Sequence, residues 1–253
     1  QGVDMVIDLI GLLWSREQTE ITEAGPRMLL MLEPPEILRR MFPTQERRSR
    51  VESAAERLSN AKIMRITSEA GTDVTYKLGQ YGVVTQYGYT DQPGRWDHFP
   101  GAFLYTGGND GEVDGLVVIG RGDILLPFMR YVDEPIRLII RSGLVERIEG
   151  DGLDAELLRD FMAGFNDPRA YAVSHIGWGL DETAQWNWLG TSPIPGIGMD
   201  ARAFLGNILF STGPNTELGG DNDTLCHLDI PLRGCSMYLD DECILEDGRV
   251  RTL

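Results

Sequence analysis

The sequence predicts an α+β protein: the C-terminal part of an α/β N-terminal domain over residues 1–66, then a β-rich second domain over 67–253. Three observations predict it. Before residue 66, apolar strand-like runs alternate with a helical repeat. From about residue 68, glycine becomes dense and apolar runs shorten. Two apolar pairs around Ser142-Gly143 and Asp247-Gly248 read as hairpins.

In chain order, VDMVIDLIGLLW (3–14) reads as a buried strand running into a helix. It holds Asp4 and Asp8 and is too short to span a bilayer. The chain starts at Gln1 inside this run, so upstream sequence is expected to be missing. Met28 to Leu32 suit a buried strand, punctuated by Glu33-Pro34-Pro35. A helix is expected from about Thr44 to Ala61, because Val51, Ala54, Ala55, Leu58 and Ala61 share a face. KIMRITS (62–68) is the strand that leaves this region. IRLIIRSGLVERIEG (136–150) is a hairpin. AELLRDFMAGF (155–165) is a helix with Leu157, Leu158, Phe161, Met162 and Phe165 facing in. CSMYLDDECILEDGRV (235–250) is a further pair of strands about Asp247-Gly248.

The 253 residues suffice for one large domain or two modest ones. Hydrophobic content of 42% and charged content of 25% are ordinary for a soluble globular chain. A net charge of −16 argues against nucleic acid and against anionic membrane surfaces as partners. Cys226, Cys235 and Cys243 lack CxxC spacing, which excludes a zinc ribbon and a disulfide scaffold. A reduced, cytoplasmic setting is the simplest reading, and no signal-peptide pattern is visible.

Chemistry concentrates in DNDTLCHLDIPLRGC (221–235). Residues two apart on a strand share a face, so His227 and Asp229 can reach one ion. Imidazole plus carboxylate suits Fe(II), Zn(II) or Mn(II). The pair also reads as a polar rung on an ordinary strand. A third ligand would come from His98 in RWDHFPGAF or His175 in YAVSHIGWGL, the only other histidines. His175 equally reads as a satisfied core histidine, and His98 as a turn residue. GGNDG (107–111) and PNTELGGDND (214–223) read as solvated turns. GLVVIGRGD (115–123) lacks GxGxxG and a following helix, which removes a dinucleotide site. Ser174 and Ser211 lie outside any GxSxG elbow. Trp178, Trp186 and Trp188 read as core rather than pocket.

LGNILFSTGPNTELGGDNDTLCHLDIPLRGCSMYLDDE (205–242) resembles the 2,5-dihydroxypyridine 5,6-dioxygenases, iron enzymes of nicotinic acid breakdown. They are related in fold to the aminopeptidase T metallopeptidases. EPPEILRRMFP (33–43), SEAGTDVTYKLG (68–79) and YVDEPIRLIIRSGLVERIEG (131–150) extend the resemblance over nearly the whole chain. It makes 67–253 a metal-binding catalytic domain. The aminopeptidases resemble it less closely at the ligand positions. Phe103 stands near one of their glutamates and His175 at another, and the stretch before Leu205-Gly206 offers Arg202 where they have a histidine.

The resemblance implies that His175, His227 and Asp229 bind Fe(II) and that O2 opens a hydroxylated pyridine. It also places a catalytic histidine in the segment of His98 and implies a homo-oligomer. His98, the histidine left free, reads as the acid/base, oriented by Asp97, and Ser211, just before the metal strand, reads as a hydrogen-bond partner for substrate or bound oxygen or as a turn hydroxyl. The alternative is a metal-dependent aminopeptidase that recruits Glu217 or Asp223. A third reading is a metal-free binding protein on the same scaffold.

Overall fold

The computed structural model describes residues 2–12, 15–194 and 196–251. The first third of the chain runs β1 (Met5–Asp8), α1 (Arg16–Glu23), β2 (Arg27–Leu30), α2 (Pro35–Arg40), α3 (Gln45–Asn60), β3 (Ile63–Ser68) and β4 (Asp73–Lys77). Then come β5 (Val84–Gln86), β6 (Trp96–His98), β7 (Phe103–Gly107), β8 (Val113–Ile119), β9 (Ile124–Leu125), β10 (Arg130–Tyr131), β11 (Ile136–Arg141) and β12 (Leu144–Glu149). The remainder is α4 (Leu153–Gly164), β13 (Val173–Gly179), α5 (Trp188–Thr191), α6 (Met199–Ala203), β14 (Ile208–Thr212), β15 (Leu228–Leu232), β16 (Cys235–Leu239), β17 (Glu242–Glu246) and β18 (Arg249–Val250).

Strands β1, β2 and β6 form a parallel three-stranded sheet. An antiparallel eight-stranded sheet has the order β12-β11-β8-β4-β3-β16-β17-β18, and an antiparallel five-stranded sheet the order β15-β14-β13-β7-β5. Residue 66 falls inside β3, and β6, further along, completes the sheet of β1 and β2.

The five-stranded sheet is buried on both faces, which is why its strands carry so little exposed surface. One face, with Leu104, Ile176, Trp178, Phe210 and Ile230, packs into a large core shared with the eight-stranded sheet, α3 and α4. The other, with Phe103, Tyr105 and Leu209, meets a second core built from α2, Trp186, Trp188 and α6. Alternation along the strands then sends Phe103, Tyr105, His175, Leu209, Ser211 and Asp229 to that second face.

Local chemistry explains most of the elements. Thr44 caps α3 by accepting from the Arg47 N–H, at the point where the sequence places the start of the helix. Ser142 and Gly143 both have positive φ, the pattern of a two-residue hairpin turn.

Three expectations are corrected. The 3–14 run is not a buried strand entering a helix. Its strand ends at Asp8, whose carboxylate accepts from the N–H groups of Ile10, Gly11 and Leu12, and Ile7, Leu9 and Ile10 are exposed. Leu13 and Trp14 lie outside the described residues. In α4, Leu157 is on the outer stripe, one turn after exposed Leu153, while Leu158 and Met162 are buried. The 235–250 segment holds three strands rather than two. The missed turn lies at Asp240, a non-glycine residue at φ 50° whose carboxylate accepts from the N–H groups of Lys62 and Ile63.

Candidate metal centre

His175 sits on β13, Asp229 on β15, and His227 just before β15. Glycine lets the backbone place them. A Cβ on Gly177 would lie 2.0 Å from the Leu104 carbonyl oxygen, so glycine there lets β13 close on β7. Gly213, at φ +111°, would bring a Cβ to 2.1 Å from the Cys226 carbonyl oxygen and 3.1 Å from His227 Cα. Glycine at 213 thus allows the chain carrying His227 to pass close.

The three side chains converge. His175 Nε2 and His227 Nε2 each lie 3.3 Å from Asp229 Oδ1. One ligand atom from each residue falls within 4.8 Å of the others, and among the described residues this is the one group of three or more such donors. Two donors each about 2.1 Å from one ion at right angles would be about 3.0 Å apart, so the spacing fits one ion. Asp229 Oδ1 and His175 Nδ1 are buried and have no hydrogen-bond partner among the described residues. A buried carboxylate oxygen facing two imidazoles in this way fits a bound cation. Glu217 and Asp223 are not in the group.

The other carboxylate oxygen is taken. Arg202 donates to Asp229 Oδ2 from Nε at 2.9 Å and from Nη2 at 2.6 Å. Burial pushes the Asp229 carboxyl up, but Arg202 and the two histidines outweigh it and hold it well below the usual carboxylate range. In the sequence Arg202 stands out only as the residue where the aminopeptidases have a histidine; a guanidinium on α6 that reaches a carboxylate on β15 leaves no local signal.

The triad opens onto a cavity of about 240 Å³. Its walls include Leu32, Trp96, Phe103, Tyr105, Ile197 and Leu209, together with His98 and Arg202. The Tyr105 ring packs 4.7 Å from that of His175, centroid to centroid. Trp178, Trp186 and Trp188 are in the cores, as expected, and the cavity's tryptophan is Trp96, brought in by β6.

His98 reaches the same cavity from the three-stranded sheet. Burial, with help from Arg202, pushes its imidazole down to about 3. Asp97 does not orient it. Neighbouring residues on a strand point to opposite sides, and Asp97 instead accepts from the Tyr87 and Gly88 N–H groups and pairs with Arg95. The partner of His98 Nδ1 is Gln86.

Ser211 shares the cavity-side face of its sheet but is fully buried and does not line the cavity. Its hydroxyl accepts from the His175 N–H and donates to the His175 carbonyl, both at 2.8 Å. The register shift between Val173 and Ile176 displaces the ladder at His175, and Ser211 occupies the gap. It holds the backbone of His175 through both bonds.

Two imidazoles and one carboxylate under an aromatic cavity are the donor set that could hold a single metal ion with positions free for ligands. A family model described as NicX, 2,5-dihydroxypyridine 5,6-dioxygenase, matches residues 1–252. The chain is 51% identical over 251 residues to the 2,5-dihydroxypyridine 5,6-dioxygenase of Pseudomonas putida strain KT2440, spanning 99% of this chain and 71% of that protein. It matches the solved structure of 2,5-dihydroxypyridine dioxygenase from Pseudomonas putida KT2440 with a TM-score of 0.96 and 50% identity, over 99% of this chain and 72% of that one. This chain belongs to the 2,5-dihydroxypyridine 5,6-dioxygenase family. Wild-type AmpT from Thermus thermophilus is similar at a TM-score of 0.59 and 12% identity, covering 93% of this chain and 79% of that one, a likeness of fold alone.

Proposed function

We propose that this chain opens 2,5-dihydroxypyridine with O2 between ring carbons 5 and 6, giving N-formylmaleamic acid in nicotinic acid breakdown. Both oxygen atoms remain in the product, so no outside reductant is needed. The reading is carried by the His175–His227–Asp229 triad at the floor of an aromatic cavity. These three residues would hold Fe(II). When bound, the ion supplies a centre at which ring oxygen and O2 meet side by side.

The chain's own residues do the rest. Trp96, Phe103, Tyr105 and Leu209 give a flat, mostly apolar slot for an aromatic ring and exclude water from it. His98, neutral at physiological pH, takes the proton of a ring hydroxyl. Arg202, at the cavity wall, adds positive charge that favours the resulting oxyanion. Ser211 keeps the His175 backbone in place. All three cysteines are free, which supports a cytoplasmic enzyme, and we include a homo-oligomer in the proposal because the family resemblance implies one. Among the described residues no helix is long and apolar enough to cross a membrane.

Oxygen uptake tests the reading. Protein loaded anaerobically with Fe(II) is given 2,5-dihydroxypyridine, with His227→Ala alongside. Uptake equal to substrate loss, absent in the variant, is the expected result. No uptake from protein carrying one iron per chain would sink the assignment. Two divalent ions per chain and release of amino acids from peptides would replace it with the peptidase.

A further inference from the structure

A base needs a bare nitrogen facing its substrate, and the two nitrogens of His98 are not equivalent. Gln86 lies on β5, 1% exposed, against the His98 side of the cavity wall. Its Oε1 is 2.9 Å from the His98 backbone nitrogen and 2.8 Å from His98 Nδ1.

The first contact fixes the second. A backbone N–H can only donate, so the Gln86 atom facing it must be the amide oxygen and not the amide nitrogen. That oxygen has no hydrogen to give. Nδ1, within bonding distance of the same oxygen, must therefore carry the hydrogen itself. In a neutral imidazole this leaves Nε2 bare. Nε2 is on the ring edge away from Gln86, and the ring lines the cavity.

We infer that Gln86 is a positioning residue that locks His98 as the Nδ1–H tautomer and so offers the Nε2 lone pair to the cavity. Its effect on turnover rests on the proposed acid/base role of His98; the lock itself does not. In the proton transfer, the substrate O–H bond breaks, the electron pair stays on oxygen, and the proton joins Nε2. Nδ1 keeps its hydrogen throughout. The amide oxygen of Gln86 is uncharged, so it orients the ring without binding the imidazolium as a carboxylate would.

Imidazole nitrogen NMR reads the tautomer directly. The chain has three histidines, so a protein labelled with ¹⁵N at histidine gives few signals, and His98→Asn identifies the one of interest. Zinc-loaded protein serves, because it is diamagnetic. The wild type is expected to show a protonated Nδ1 and a bare Nε2 at His98. Gln86→Leu is expected to lose that signature, with kcat of the iron-loaded enzyme falling on the order of 10–100-fold and KM nearly unchanged. Gln86→Glu keeps an acceptor oxygen and is expected to retain both the signature and most of the turnover.

A protonated Nε2 in the wild type overturns the lock, and so does an Nδ1–H signature that survives Gln86→Leu. The wild-type spectrum decides even if a variant fails to fold. Full turnover in His98→Asn beside an intact wild-type signature would sink the acid/base reading and support the lock alone.

Discussion

At the scale of single residues, the Arg202–Asp229 pair sets the character of the site. One carboxylate oxygen is committed to a guanidinium and the other faces two imidazoles. Removing one member of a buried pair strands the other charge. Arg202→Met is therefore expected to destabilise the metal-free protein by about 3 kcal/mol in urea unfolding. Divalent metal brings a replacement positive charge, so it should raise the melting temperature more in the variant than in the wild type. Equal metal-induced shifts would remove Arg202 as the counter-charge. Asp229→Asn keeps the shape but loses the anion, and metal affinity by titration calorimetry is expected to drop at least 10–100-fold. The sequence displayed His227 and Asp229 through their spacing. It gave no sign of Gln86, Arg202 or the backbone role of Ser211, because each acts on a residue distant in the chain.

At the scale of elements, strand alternation does the placing. β13, β14 and β15 each send one row of side chains into the large core and the other toward the cavity. Gly213 joins this arrangement to His227 through a left-handed backbone. Gly213→Ala meets both a strained φ and the Cys226 carbonyl, and a loss of about 2–4 kcal/mol is expected, with weaker metal binding. Wild-type stability and affinity in this variant would show that the close approach is not needed. Helix α3 and the 136–149 hairpin were legible because their signals are local: an apolar stripe at helical spacing, and Ser-Gly between apolar runs. The turn at Asp240 was hidden because its support comes from Lys62 and Ile63.

At the scale of the whole molecule, buried acids couple stability to pH. Glu33, buried between β2 and α6, accepts from the Met199 N–H, and burial pushes its carboxyl from 4.5 to about 7. Between those values the folded chain holds a proton that the unfolded chain has released. This contribution is fully present below about pH 4.5 and fades as pH rises through about 7. Glu33→Gln keeps the acceptor and removes the ionisation. It is expected to be more stable than the wild type at pH 8, by on the order of 1–3 kcal/mol, and not at pH 5. Equal differences at the two pH values would overturn this account. His98 works with the opposite sign, since its imidazole is lowered to about 3 and the unfolded chain binds the proton first as pH falls. Comparing variant with wild type at each pH cancels that background.

The sequence by itself determined the α+β class, the main helices and hairpins, the His-x-Asp pair and the family resemblance, since each is written in neighbouring residues or in recurring motifs. The resemblance named His175 as well, but only the tertiary structure brings it against that pair, delivers His98 from a different sheet on the arm of Gln86, and gives Arg202 the second carboxylate oxygen. These partners lie between 12 and 54 residues apart in the chain. Nothing in local propensity encodes such distances; they are fixed by how two buried faces of one sheet are packed.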